Sequence, residues 1–164
     1  MKTVDFFGHK ISRLILGDNP FNGWSYIPDE VSSEEMKAFY TDEKEIETLF
    51  AAEALGIQTM LPLSWPRTCG VLSEYYKRGG TMNLIFQGIA SETPQENADH
   101  ARQFAPHALA VYRNGSTLDY CCETGKFDEI RNTIKAYRDS GLIVGLASHV
   151  PSSIARAEDE NWGV

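Results

Sequence analysis

Short apolar runs alternate along this chain with stretches whose apolar residues recur every three or four positions. The runs Leu14–Leu16, 57–63, 82–89, 108–112 and 142–147 read as buried strands. Between them lie amphipathic segments. One is short, 32–40, opened by Ser-Ser-Glu-Glu. The next starts at Thr41 or Asp42, puts Ile46, Leu49, Phe50 and Ala54 on one face, and stops at Gly56. Residues 71–78 predict a short helix. Thr93-Pro94-Gln95-Glu96 is a capping box opening a helix to about residue 104. Residues 126–140 carry Phe127, Ile130, Ile134 and Tyr137 on one face, and a last helix runs over 152–160. Segments 24–32, 64–70 and 113–125 read as loops. Two extended runs, 4–7 and 10–16, meet at Gly8–His9 and predict a hairpin whose second arm continues as the first core strand.

Strands alternating with helices mean a parallel sheet with right-handed crossovers, hence an α/β fold in a single domain over 1–164. An open doubly wound sheet and a (β/α)8 TIM barrel both give this spacing. No Gly-x-Gly-x-x-Gly follows any strand, so the dinucleotide fingerprint is missing. The opening hairpin favours the barrel. A full barrel takes about 250 residues, and the 164 here supply the hairpin and five of eight units. The expectation is an incomplete barrel with exposed edges, paired with a missing C-terminal half or with itself.

Composition narrows the partners. The net charge is −8 with no Lys/Arg cluster, which argues against nucleic acid and anionic membranes. No 18-residue apolar run and no signal-peptide core are present. Cys69, Cys121 and Cys122 lack C-x-x-C spacing and read as reduced thiols of a cytoplasmic protein, not a disulfide framework or a zinc site.

Barrel chemistry sits in the loops after the strands. After the first come Asp18, Asn19 and Asn22, which also make an ordinary turn. After the second come Trp65 and Arg67, suited to clamp a planar or anionic ligand. Gln87 ends the third inside an apolar run, as a ligand contact or a link in a buried network. Arg113, Asn114 and Asp119 follow the fourth; Arg113 either pairs with a carboxylate or is left for a substrate anion. His149 follows the fifth and is the acid/base candidate, with Asp18 as its partner or as a metal ligand; no fuller metal set is in view. His9, His100 and His107 read as solvated.

Three stretches carry a resemblance: His9-Lys10-Ile11-Ser12-Arg13-Leu14-Ile15-Leu16-Gly17 with Pro20-Phe21, then Ala54-Leu55-Gly56-Ile57, then Gly141 through Ser148. They resemble the N-terminal part of the aldo/keto reductase superfamily, which implies a (β/α)8 barrel. That family's catalytic positions are not matched. Leu61-Pro62 stand where an Asp is expected, and Trp65 where a Tyr is. Gln87-Gly88 replace a Lys, and Arg113-Asn114 replace a His. Ser148 stands where the family contacts the nicotinamide amide, so NADP is implied by the resemblance alone and the cofactor is otherwise unknown. The expected function is an enzyme without the reductase tetrad, acting on a small polar or anionic molecule. His149 and Asp18 would be catalytic, and Asn19, Trp65, Arg67, Gln87, Arg113 and Asn114 would bind substrate. An NAD(P)-dependent oxidoreductase with altered catalytic groups, or a non-catalytic barrel fragment, are the alternatives.

Overall fold

A computed structural model describes all residues 1–164. The chain forms two compact units, Met1–Pro62 with Pro66–Asn83, and Leu63–Trp65 with Leu84–Val164. The protein is α/β: five parallel strands flanked by helices, with order in space following order in sequence within each unit.

The first unit opens with the hairpin β1 (Thr3–Phe6) and β2 (His9–Ser12), paired Thr3↔Ser12 to Phe6↔His9. The turn is Phe7–Gly8, both at positive φ, one residue earlier than the sequence suggests. The second arm does not run on unbroken. The Ser12 hydroxyl bonds Leu14 O and accepts from Gln58 N, which bends the chain before the short strand β3 (Leu16–Gly17). β3 pairs in parallel with β4 (Thr59–Leu61). Between them lie α1 (Ser33–Phe39), closed by the Ser32/Glu35 capping box, and α2 (Asp42–Ala54), capped by Thr41. α3 (Pro66–Lys77) begins five residues before the predicted helix, because Pro66 supplies a preset N-terminal φ instead of breaking the chain. Leu49, Met60, Leu72 and Tyr75 are fully buried in this unit.

In the second unit β5 (Asn83–Gly88), β6 (Ala108–Arg113) and β7 (Ile143–Leu146) pair in parallel. α4 (Pro94–Arg102) starts at the Thr93/Glu96 capping box. The segment after β6 is not a loop. It folds as α5 (Gly115–Thr124), because Asn114 Oδ1 accepts from Thr117 N, Leu118 and Cys121 bury one face, and Gly125 ends it at positive φ. α6 (Phe127–Asp139) and α7 (Pro151–Asp159) complete the unit. Leu118, Cys121, Ile130, Ile134, Ala157 and Trp162 form one cluster, with Val144 and Leu146 of β7 packed against it. Alternation along the strands then sends Gln87, Tyr112 and Gly145 to the opposite face, where the register sets them side by side.

Candidate active site

The residues that end the strands of the second unit gather its polar chemistry. Beyond β7 the chain turns at Ser148-His149-Val150. Val150 N donates to Ser148 Oγ at 2.9 Å, a local turn that fixes the direction of the His149 side chain. Asp119, in the first half of α5, closes on this turn. Its Oδ2 lies 2.7 Å from His149 Nδ1 and accepts from His149 N–H at 3.1 Å, while its Oδ1 accepts from the Ser148 hydroxyl. Gly115 permits the approach: a Cβ there would meet His149 Cε1 at 3.2 Å.

The electrostatics follow from this geometry. Burial works to raise the Asp119 pKa, but the bonds from Ser148 and from the ring and backbone of His149 outweigh it and hold the carboxyl below the usual range. A carboxylate can only accept, so His149 Nδ1 is the donor in this contact. The His149 side chain is 73% exposed, whereas that of Asp119 is 20% exposed. The carboxylate is therefore the more enclosed member, and the imidazole ring stands largely in solvent.

Gln87 and Tyr112 form a second element. The Tyr112 hydroxyl donates to Gln87 Oε1 at 2.5 Å, leaving the Gln87 amide N–H groups to point elsewhere. Gln87 is thus a link in a network, on the face it shares with Gly145. Arg113 is half-buried and makes no salt bridge. It lies close enough to Tyr137 to oppose the upward push of burial on that hydroxyl. Asn114 spends its side chain on the cap of α5, bonding Thr117 N and Oγ1, and is structural. His100 is not solvated: its Nδ1 lies 2.6 Å from Ser64 O and 3.2 Å from Glu92 Oε2.

The first unit holds the other candidates. Asp18 is buried and its Oδ2 accepts from Asn22 Nδ2 at 3.0 Å; the carboxylate on His149 is Asp119 instead. Asn19 is exposed, and Trp65, assigned to the second unit, is half-buried just before α3. Arg67 is not free for an anion. Its Nη2 lies 2.8 Å from Asp42 Oδ1 and 3.1 Å from Glu45 Oε2. Glu45 was not foreseen. It is 1% exposed on the core face of α2, and neither carboxylate oxygen accepts a hydrogen bond of good geometry. Burial pushes its pKa up to about 7 against the charge of Arg67, with Asp18 and Asp42 adding to the rise. Its one signal in the sequence is its place four residues before Leu49, within the buried stripe.

Asp119 stands in the stretch read as a loop, where no helical register linked it to residue 149. No cluster of His, Cys, Asp and Glu suited to a metal ion is present, and no helix is long and apolar enough to cross a membrane. Comparison with protein-family models, with curated proteins and with solved structures gave no match.

Proposed function

We propose that this chain is an enzyme of aldo/keto reductase-like, TIM-barrel type that lacks the reductase tetrad and performs acid/base chemistry on a small polar or anionic molecule. The observation that carries the reading is the His149–Asp119 pair at the C-terminal end of β7, with Nδ1 held at 2.7 Å and Nε2 open to solvent. Asp119 fixes the tautomer and stabilises the imidazolium formed when Nε2 takes a proton. His149 is the acid/base, and Arg113, a half-buried cation without a carboxylate partner, is the anchor for a substrate anion. Gln87, oriented by Tyr112, offers amide donors. The residues do not favour a nicotinamide cofactor: Ser148, which the resemblance assigns to it, gives its hydroxyl to Asp119 and Val150 O.

The test is proton exchange in D2O, followed by proton NMR on pyruvate and dihydroxyacetone. Exchange above the buffer rate is expected, with His149→Ala reducing it by about 100-fold or more. Equal exchange by wild type and His149→Ala overturns the reading in favour of a non-catalytic protein.

A further inference from the structure

The segment between the turn after β3 and the start of α2 buries little of itself. α1 has no buried residue, and Trp24, Tyr26, Ile27 and Phe39 leave large apolar side chains in solvent. A stretch that buries so little opens at low cost. Its ties to the rest of the unit are specific. The Ser33 hydroxyl donates to Gly23 O at 2.5 Å. The Tyr40 ring meets the ring of buried Phe21 edge-on, with centres 4.8 Å apart. Arg67 Nη2, from the first turn of α3, donates to Tyr40 O at 3.4 Å. Tyr40 is the corner between two helices: it ends α1 and precedes Thr41, the cap of α2.

The tie from Arg67 is contested. Nη2 carries two hydrogens, and three oxygens surround it: Asp42 Oδ1 at 2.8 Å, Glu45 Oε2 at 3.1 Å and Tyr40 O at 3.4 Å. Glu45 decides how the hydrogens are shared. Its side chain is 1% exposed, so its ionised carboxylate has no water to turn to and takes one hydrogen in full. Asp42 takes the other. Tyr40 O, the farthest and the uncharged acceptor, then loses its donor. A protonated Glu45 is a weaker acceptor, and Nη2 serves Asp42 and Tyr40 O. Charge acts in the same direction. The groups that face Glu45 are Arg67 on α3, Asp42 on its own helix and Asp18 just after β3, so ionisation sets a third carboxylate around one guanidinium. The other charged residues of α2 and α3 pair elsewhere: Lys44 with Glu47, Glu74 with Lys77, Arg78 with Glu43 and Glu74, and Glu53 with Tyr75. On α1, Glu35 bonds the Ser32 cap and the Lys37 stem lies over Gly23. Burial pushes the Glu45 pKa up to about 7, so both forms are populated near neutral pH.

We propose that residues 24–41 are a strap over the turn after β3, closed while Glu45 is protonated and released when Glu45 ionises. Release lifts Tyr40 from Phe21 and loosens the turn Asp18–Asn22. The sign follows from the raised folded pKa: the strap is closed at acid pH and opens as pH rises through about 7. This device does not rest on the acid/base reading of His149 and Asp119.

The test is amide hydrogen exchange of the full ¹³C,¹⁵N-labelled chain by NMR between pH 6 and pH 8. Rates are expressed as protection factors, which remove the intrinsic pH dependence of exchange, and the Glu45 side-chain carboxyl is followed by its ¹³C shift. Tyr40 N–H bonds Met36 O and Trp24 N–H bonds Asn19 O, so both report on the strap. Their protection is expected to fall about tenfold over this range, in step with the Glu45 carboxyl. In Glu45→Gln, which cannot ionise, it is expected to stay at the pH 6 value. Leu49, fully buried on α2, keeps its protection throughout. Should Glu45→Gln fail to fold, the wild-type titration decides by itself, through agreement between the midpoints of the two amides and of the carboxyl. The inference is overturned by constant protection at Tyr40 and Trp24, by the same loss in Glu45→Gln, or by a loss whose midpoint differs from that of the carboxyl. Equal loss at Leu49 also overturns it, because the whole unit then loosens and no strap is released.

Discussion

Asp119 and His149 stand 30 residues apart in sequence and 2.7 Å apart in space, one in the first half of α5 and the other just past β7. Asp119 also accepts from the Ser148 hydroxyl and the His149 backbone N–H, so one carboxylate organises the whole turn. These bonds favour its ionised form, and its folded pKa lies below the usual value.

The sign of the resulting pH dependence is fixed. A carboxyl with a depressed folded pKa contributes stability above its unfolded pKa of about 3.9 and loses it as pH falls through the lower folded value. Asp119→Asn keeps the shape but removes the charge. It is expected to be less stable than wild type at neutral pH and to approach it in strong acid. Urea unfolding midpoints over the acid range are the measurement. A deficit independent of pH places the effect in packing, not in ionisation.

Glu45 makes the opposite prediction. Its folded pKa of about 7 lies above the unfolded value, so the folded state binds the extra proton between the two. Its contribution is greatest at low pH and is lost as pH rises through about 7. Glu45→Gln should match wild type below about pH 4 and exceed it at pH 8, by on the order of 3 kcal/mol at most. Denaturant unfolding at both pH values decides. A Gln variant less stable at pH 8 means that the ionised Glu45–Arg67 pair stabilises the fold more than burial of the charge costs.

Gly88 and Tyr137 form a tight contact. A Cβ on Gly88 would lie 1.9 Å from Tyr137 Oη and 3.0 Å from its Cζ, and Tyr137 is fully buried. The hydroxyl makes no hydrogen bond of good geometry, and the nearby Arg113 guanidinium is the one group that acts on it. Gly88→Ala is expected to cost about 2 kcal/mol or more by overpacking, and adding Tyr137→Phe to recover part of it by removing the clashing oxygen. Tyr137→Phe alone should cost no more than about 1 kcal/mol, because the hydroxyl it deletes makes no hydrogen bond of good geometry and loses only its contact with Arg113. A thermal-melt double-mutant cycle measures the coupling; additive effects contradict the contact.

Asn97 is a buried tie between segments. It accepts from Ile89 N at 2.8 Å and from the Ser64 hydroxyl, and its amide donates to Ile89 O at 3.0 Å and Thr93 O at 3.1 Å. Asn97→Ala strands these groups and is expected to cost about 3 kcal/mol, with amide exchange at Ile89 accelerating. Unchanged exchange there refutes the assignment.

The order of strands and helices was legible in the sequence, because it depends on local periodicity and caps. Thr93-Pro94-Gln95-Glu96 opens α4 as read, and the apolar stripe from Phe127 to Tyr137 is α6. What depended on more than the neighbouring residues was not legible. The polar stretch after β6 carries few apolar residues, and it became α5 because Leu118 and Cys121 find a cluster supplied by α6 and α7. Only that helix gives Asp119 a direction, and only the end of β7 gives it His149. Glu45 likewise looks like any surface glutamate until packing buries it. The sequence by itself determined the alternation of elements, since backbone hydrogen bonding and apolar spacing act over a few residues. The tertiary structure alone decided which charges meet, since the cost of burying a carboxylate depends on what the rest of the chain places around it.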